Sequence, residues 1–239
     1  MGRRLGQHFL IKGSILERIA AAACPEREDL VIEIGPGRGA LTEKLLKRAA
    51  RVIAIELDSS LVEHLRSRYT AEVVHSDVLA IDLAQWGPAV IAGNLPYYIT
   101  SPILEKVLPL DFRRAVFLMQ KEVAERLVAQ PGSRDYGYLT VQTAVYAQAR
   151  LLFEVKPSAF HPPPKVDSAV VLLERRPPAL DDVAGFLSFV SRSFRHKRKT
   201  IRNNLSEVPG IEDWPEAGLR AEQIEIEQFV AMYQRQRRG

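Results

Sequence analysis

Alternation is the property that most restricts how this chain can fold. From residue 30 to residue 129, short apolar runs take turns with amphipathic stretches. Leu30–Ile34, Val52–Glu56, Val73–His75, Ala89–Gly93 and Ala115–Met119 read as strands; Ala40–Arg48, Ser59–Arg68, Ser101–Leu108 and Lys121–Ala129 read as helices. A strand that is apolar throughout is covered on both faces, and a helix after each strand is the crossover that parallel strands require. The expected class is therefore α/β, with a doubly wound sheet. Ahead of it, Ser14 stands where it would cap a helix over Ile15–Ala23, with Glu17 three residues on as capping-box partner. After it come a helix at Tyr138–Ala147 and two strands, Leu151–Val155 and Ala169–Glu174, separated by a proline-rich loop and expected as an antiparallel edge pair.

Arg175-Arg176-Pro177-Pro178 punctuates the chain, and only helical periodicity follows. Val183, Phe186, Leu187 and Val190 recur at helical spacing, as do Ile226, Phe229, Val230 and Tyr233. The expected organisation is an α/β domain over 1–178 and a small all-helical domain over 179–239. No apolar stretch approaches the roughly 20 residues of a membrane span. Met1–Leu10 lacks the apolar core of a signal peptide, and Gly6 stands where a myristoylation motif needs Ser or Thr. Cys24, the only cysteine, lies in an alanine-rich helical run and reads as a small buried hydrophobe, so the expected setting is reducing and cytoplasmic. The chain is expected to be a monomer.

Net charge is only +4, but the pI is about 9.2 and the cations are clustered. Arg192, Arg195, Lys197, Arg198, Lys199 and Arg202 fall within one run without an acid. Such runs are usually solvated helix faces, yet Phe194 and Ile201 mark this one as part of a folded amphipathic surface. A polyanion such as RNA is the expected partner.

Four features fall at successive strand ends, where open α/β sheets bind ligands. Glu33-Ile34-Gly35-Pro36-Gly37-Arg38-Gly39 follows the first strand, its glycines permitting a tight turn and close approach of a ligand. Ala40 stands where a dinucleotide fingerprint has its third glycine. Glu56, 21 residues after Gly35, is placed to accept from ribose hydroxyls. Asp77 follows the third strand and is placed to accept from an exocyclic amine. Asn94-Leu95-Pro96-Tyr97 follows Ala89–Gly93 and offers an amide, a stiffened backbone and an aromatic face, which suit a flat amine-bearing ring. Taken alone, the tetrapeptide reads equally as a plain strand-to-loop exit.

The ordered set resembles a class I S-adenosylmethionine-dependent methyltransferase, and more narrowly the ribosomal RNA adenine dimethyltransferase family. Gly6-Gln7-His8-Phe9-Leu10 is similar to the family's GQNFL, with His8 in place of the commoner Asn. Phe160–Ser168 resembles FxPxPKVDS, Lys197–Leu205 resembles RRKTLRNNL, and Arg220-Ala221-Glu222 resembles its late RAE segment. The resemblance implies a Rossmann-like methyltransferase sheet with S-adenosylmethionine as cofactor. Glu56 would hold its ribose and Asp77 its adenine amine, with His8, Leu10, Gly35, Gly37 and Asn94 lining the pocket. It also implies that Asn94 and the Leu95 carbonyl accept the target amine's hydrogens and that Tyr97 and Phe160 stack on the extruded base. Arg195, Lys197, Arg198, Lys199 and Arg202 would hold RNA of the small ribosomal subunit. Scattered histidines give no metal-ligand spacing, and no metal is expected.

Besides a DNA adenine methyltransferase, which would more typically carry a second proline where this chain has Leu95, three rivals remain within reach of the same motifs. One is the large-subunit RNA methyltransferase of the macrolide-resistance type, disfavoured by Leu95 and the Lys197–Leu205 segment. Another is a mainly non-catalytic ribosome-assembly or transcription factor on the same scaffold, disfavoured by the intact acids. A nicotinamide dehydrogenase is disfavoured by Ala40 and the tetrapeptide.

Overall fold

The computed structural model describes residues 8–238, so Gly6 and Gln7 of the N-terminal motif lie outside the described residues. The chain forms two compact units, one of Met1–Ala124 with Ala149–Arg175, the other of Glu125–Gln148 with Arg176–Gly239.

In the first unit, β1 (Phe9–Leu10) leads into α1 (Gly13–Ala23), followed by β2 (Glu28–Ile34), α2 (Ala40–Leu45), β3 (Ala49–Glu56), α3 (Ser59–Arg68) and β4 (Glu72–His75). Then come β5 (Ala89–Asn94), α4 (Thr100–Val107), β6 (Phe112–Gln120) and the start of α5 (Lys121–Leu127). After the excursion into the other unit by way of α6 (Tyr138–Tyr146), the chain returns through β7 (Ala147–Val155), β8 (Phe160–His161) and β9 (Ser168–Arg175). The seven-stranded sheet has the order β4-β3-β2-β5-β6-β9-β7. Its first five strands are parallel and β9 runs antiparallel to β6, with Phe117 opposite Val171. The α/β class thus stands. The two late strands are neighbours, but β9 lies inside and only β7 is an edge.

The strands form as expected because Val31, Ile32, Val52–Ile55 and Val90–Ala92 are buried on both faces of the sheet. Boundaries differ where pairing outruns the apolar pattern. β3 starts at Ala49 because Ala49 pairs with Glu28, which cuts α2 short at Leu45. The Ser14 cap is corrected: α1 is capped from Lys12, whose carbonyl accepts from Ile15 and Leu16. Cys24 is fully buried, and burial pushes its thiol up to about 11, which suits an inert packing residue.

The second unit corrects the expected boundary at 178, since residues 125–148 pack with the C-terminal helices α7 (Val183–Ser193), α8 (Ile201–Asn204) and α9 (Ile226–Arg238). Tyr136 and Val141 join Phe186, Phe189, Phe229 and Met232 in one apolar cluster. Tyr136 also donates its hydroxyl to the Ile224 carbonyl at 2.9 Å, satisfying the one polar atom this large side chain takes into the core. A helix read from local sequence as part of an α/β layer is recruited elsewhere because its apolar residues find partners there. Among the described residues no helix is long and apolar enough to cross a membrane.

Candidate active site

The site lies where chain direction across the sheet reverses. β3 and β4 extend to one side of β2, while β5 and β6 extend to the other. The loops leaving β2 and β5 therefore part, and a crevice opens between their carboxyl ends. Its floor depends on Gly93, where a Cβ would collide with the Ile34 carbonyl.

Gly35, Gly37 and Gly39 have φ of +67°, +57° and +82°, in the left-handed region that side-chain-bearing residues avoid. The loop so formed presents the Gly37 N–H to the Glu56 carboxylate at 3.0 Å. The other oxygen of Glu56 accepts from Leu57 (2.8 Å) and Asp58 (3.0 Å). Glu56 is 5% exposed, and backbone N–H groups stabilise its charge in place of water. Asp77 turns back onto the Leu79 N–H at 2.8 Å. Lys106 on α4 ties down the same turn by donating to the Leu79 carbonyl at 2.8 Å.

Glu33 lies deeper. It interrupts an apolar strand and is 1% exposed, and its single hydroxyl donor is Thr42 at 2.6 Å. Burial, opposed by that hydrogen bond and reinforced by the Glu56 charge, raises its pKa to about 8. At neutral pH it is mostly a neutral acid in the wall of the cavity.

At the end of β5, Asn94 donates its side-chain nitrogen to the His8 carbonyl at 3.0 Å. A carbonyl only accepts, so the amide orientation is fixed and the side-chain oxygen remains as an acceptor. Leu95 is buried, with its N–H on the Leu118 carbonyl at 2.9 Å. Tyr97 is held by its hydroxyl, 2.6 Å from Ser168 Oγ, and burial raises its pKa. The His8 ring lies 5.8 Å from that of Tyr97, and its Nδ1 is 2.8 Å from the Pro162 carbonyl, which makes Nδ1 the donor. Together with the pairing of β1 to β8, these contacts lace residues 8–11 onto residues 159–162.

A cavity of about 470 Å³ is bounded by His8, Leu10, Glu33, Gly37, Asn94 and Tyr97, among others. A smaller one, about 60 Å³, is lined by Leu57, Ser76, Asp77, Val78 and Tyr98. Gly35, Glu56 and Pro96 border both, so the two are ends of one crevice.

The structure thus brings together His8, Leu10, Gly35, Gly37, Glu56, Asp77, Asn94, Leu95 and Tyr97. Phe160 is corrected: it is 3% exposed and belongs to the core with Leu10, Leu16 and Val170, while His161 takes the place in the cavity wall. Pairing of β1 with β8 sets Phe160 opposite Leu10, on the inward side of the ribbon. Tyr98 is 59% exposed at the smaller cavity. Glu33 and Ser168 received no role from the sequence. The first was detectable as an acid inside an apolar strand; the second had no signal beyond its motif.

A doubly wound sheet with a glycine turn and an acid-lined crevice at its reversal point is the Rossmann-like methyltransferase architecture. Over 96% of this chain it superposes on 98% of a dimethyladenosine transferase from Plasmodium falciparum, with a TM-score of 0.82 at 27% identity. It also matches 99% of the 23S rRNA methyltransferase ErmE with a TM-score of 0.73, at 30% identity over 96% of this chain. In sequence it is 43% identical to ribosomal RNA small subunit methyltransferase A of Thermotoga maritima, over 99% of this chain and 86% of that protein. It is 41% identical to the protein of the same name from Bordetella pertussis, over 96% and 92%. Residues 2–236 match the ribosomal RNA adenine dimethylase family, and the chain belongs to it.

Proposed function

We propose that this chain N6-dimethylates adenosines of small-subunit ribosomal RNA, two adjacent ones in the 3′-terminal hairpin, during ribosome biogenesis in the cytoplasm. The enzyme class follows from the family: the chain is an S-adenosylmethionine-dependent ribosomal RNA adenine dimethyltransferase. The residue roles, the small subunit as partner and the site on it are this reading's own. The relatives named for the small subunit at 41–43% identity favour it over the ErmE-like large-subunit reading at 30%.

The crevice fits the cofactor. Glu56 offers a buried carboxylate to ribose hydroxyls, Asp77 an acceptor to the adenine amine, and the glycine turn a close-approaching backbone. When bound, S-adenosylmethionine supplies an electrophilic methyl group on its sulfonium. The exocyclic nitrogen of the target adenine is a poor nucleophile, because its lone pair is delocalised into the ring. Accepting its two hydrogens, at Asn94 Oδ1 and the Leu95 carbonyl, draws that nitrogen towards tetrahedral geometry and frees the lone pair. Tyr97, locked by Ser168, stacks on the extruded base. The surplus proton leaves to solvent after transfer, so positioning and electrostatics carry the reaction without a general base.

The observation that carries this reading is the fixed Asn94 amide, whose nitrogen is engaged by the His8 carbonyl. The test is to incubate the protein with labelled S-adenosylmethionine and unmethylated small subunits, then map the label. Two adjacent dimethylated adenosines near the RNA 3′ end are expected; label confined to large-subunit RNA would overturn the assignment.

A further inference from the structure

The basic run lies for the most part on a turn and not on a helix face. α7 ends at Ser193, α8 begins at Ile201, and Arg195, His196, Lys197, Arg198 and Lys199 lie on the turn between them, all exposed. Of the six cations, Arg192 is paired with Glu207 at 2.7 Å. No ion pair involves Arg195, Lys197, Arg198, Lys199 or Arg202 among the described residues. Like charges crowded on a short turn repel one another, and long side chains resist ordering. Some other feature must therefore hold the turn.

That feature is Asn204, which is 3% exposed. Its side-chain oxygen accepts from the His196 N–H at 3.1 Å. Its side-chain nitrogen donates to the Ser193 carbonyl at 2.8 Å and the His196 carbonyl at 3.2 Å, with the Lys199 carbonyl at 3.5 Å. One amide thus touches the start, the middle and the end of the turn. The element bearing it is itself fixed: Ile201 and Leu205 are fully buried. Ile201 N–H also donates to the Leu219 carbonyl, and Arg202 N–H to the Ala217 carbonyl. Phe194 anchors the other end of the turn against Tyr136 and Phe229.

We propose that Asn204 is a positioning residue for RNA: through its amide it holds the Arg195–Lys199 turn in the one shape that aims these cations at successive phosphates. This deepens, and rests on, the reading of the turn as an RNA-binding surface. Phosphate contacts fix register and orientation without reading sequence, so their value depends on where the charges are held. Asn204 makes no charge contact of its own, and its replacement leaves the number of cations unchanged.

The experiment is a double-mutant cycle on RNA binding. Asn204→Ala is made in the wild-type protein and in a Lys197→Gln, Arg198→Gln, Lys199→Gln background, with Asn204→Ser as a milder variant should the alanine protein fail to fold. The probe is a transcript of the 3′-terminal small-subunit hairpin, titrated at several salt concentrations. In the wild-type background we expect roughly fivefold weaker binding and a log–log salt slope flattened by about 0.7–0.9, the loss of one phosphate contact. In the triple-Gln background the same substitution should change much less, because three of the four cations it positions, all but Arg195, are gone. Equal losses in both backgrounds, or an unchanged slope, would overturn the proposal and leave Asn204 a mere structural cap. If the triple variant itself binds with wild-type affinity and slope, the RNA-binding reading of the turn fails first, and this proposal with it.

Discussion

Glu56 at the end of β3 and the cations of the Arg195–Lys199 turn both carry charge, yet they are built in opposite ways. The Glu56 carboxylate is buried and receives N–H groups from Gly37, Leu57 and Asp58. The turn's cations are exposed and, among the described residues, have no acid partner, and the buried polar group that spans the turn is the neutral amide of Asn204. A buried charge costs several kcal/mol unless hydrogen bonds replace water, so the crevice must be preorganised atom by atom. Charges meant for a phosphate backbone gain from staying solvated until counterions are released, so only their scaffold needs ordering. The comparison teaches that precision resides in the side chains of the crevice but in the backbone of the turn.

The largest expected effect tests the crevice. Asn94→Ala removes the oriented acceptor and should lower single-turnover methyl transfer at least about 100-fold, the scale for deleting one preorganised polar partner. Cofactor affinity should fall much less, because this contact matters most as the transition state forms. A rate within a few-fold of wild type on saturating RNA would remove Asn94 from the mechanism.

Next comes Glu56→Ala, which deletes the acceptor assigned to the ribose. Binding of S-adenosylmethionine should weaken by about 1–3 kcal/mol by calorimetry, the range for charge-assisted hydrogen bonds. Gly37, Leu57 and Asp58 would lose their acceptor too, so part of that loss reflects a loosened turn. Unchanged affinity in a folded protein would mean that this carboxylate serves only the loop.

How early each region could be read follows from the same contrast. The glycines, Glu56, Asp77 and the Asn94–Tyr97 tetrapeptide sit at or just past strand ends, so strand–helix alternation together with residue type placed them at one edge of the sheet in the sequence. Gly35 and Gly37 are identifiable because positive φ excludes most other residues. Phe160 was misplaced because an aromatic beside a strand packs equally well inward, and only its pairing opposite Leu10 decides the side. Helix α6 was assigned to the wrong unit because local periodicity does not name its packing partner. At residues 194–200 the sequence shows a folded amphipathic surface, marked by Phe194 and Ile201, but not that its backbone is a turn. Its organiser is one Asn whose partners are backbone atoms, and backbone partners leave no signature in sequence.

Glu33 gives a test within the core of the first unit. Its pKa is raised from 4.5 to about 8, so between those values the folded state binds more protons than the unfolded state. Its contribution to stability is therefore most favourable below about pH 4.5 and declines as pH rises towards 8. Glu33→Gln, which keeps a hydrogen-bonding partner for Thr42, should flatten the fall in melting temperature between pH 5 and pH 8, the window set by those two pKa values. An identical pH dependence in wild type and variant would show that Glu33 is ionised in the fold.

The smallest expected effect belongs to the turn. Replacing Lys197, Arg198 and Lys199 with Gln removes three charges that are exposed and hold no other element in place. Exposed charges of this kind contribute at most about 1 kcal/mol, and relief of their mutual repulsion opposes even that. Melting temperature and S-adenosylmethionine affinity should therefore stay at wild-type values while the salt dependence of RNA binding flattens. A substantial drop in either would show these side chains to be structural partners like Glu56, and the division between a buried, partnered site and an open, scaffolded one would no longer hold.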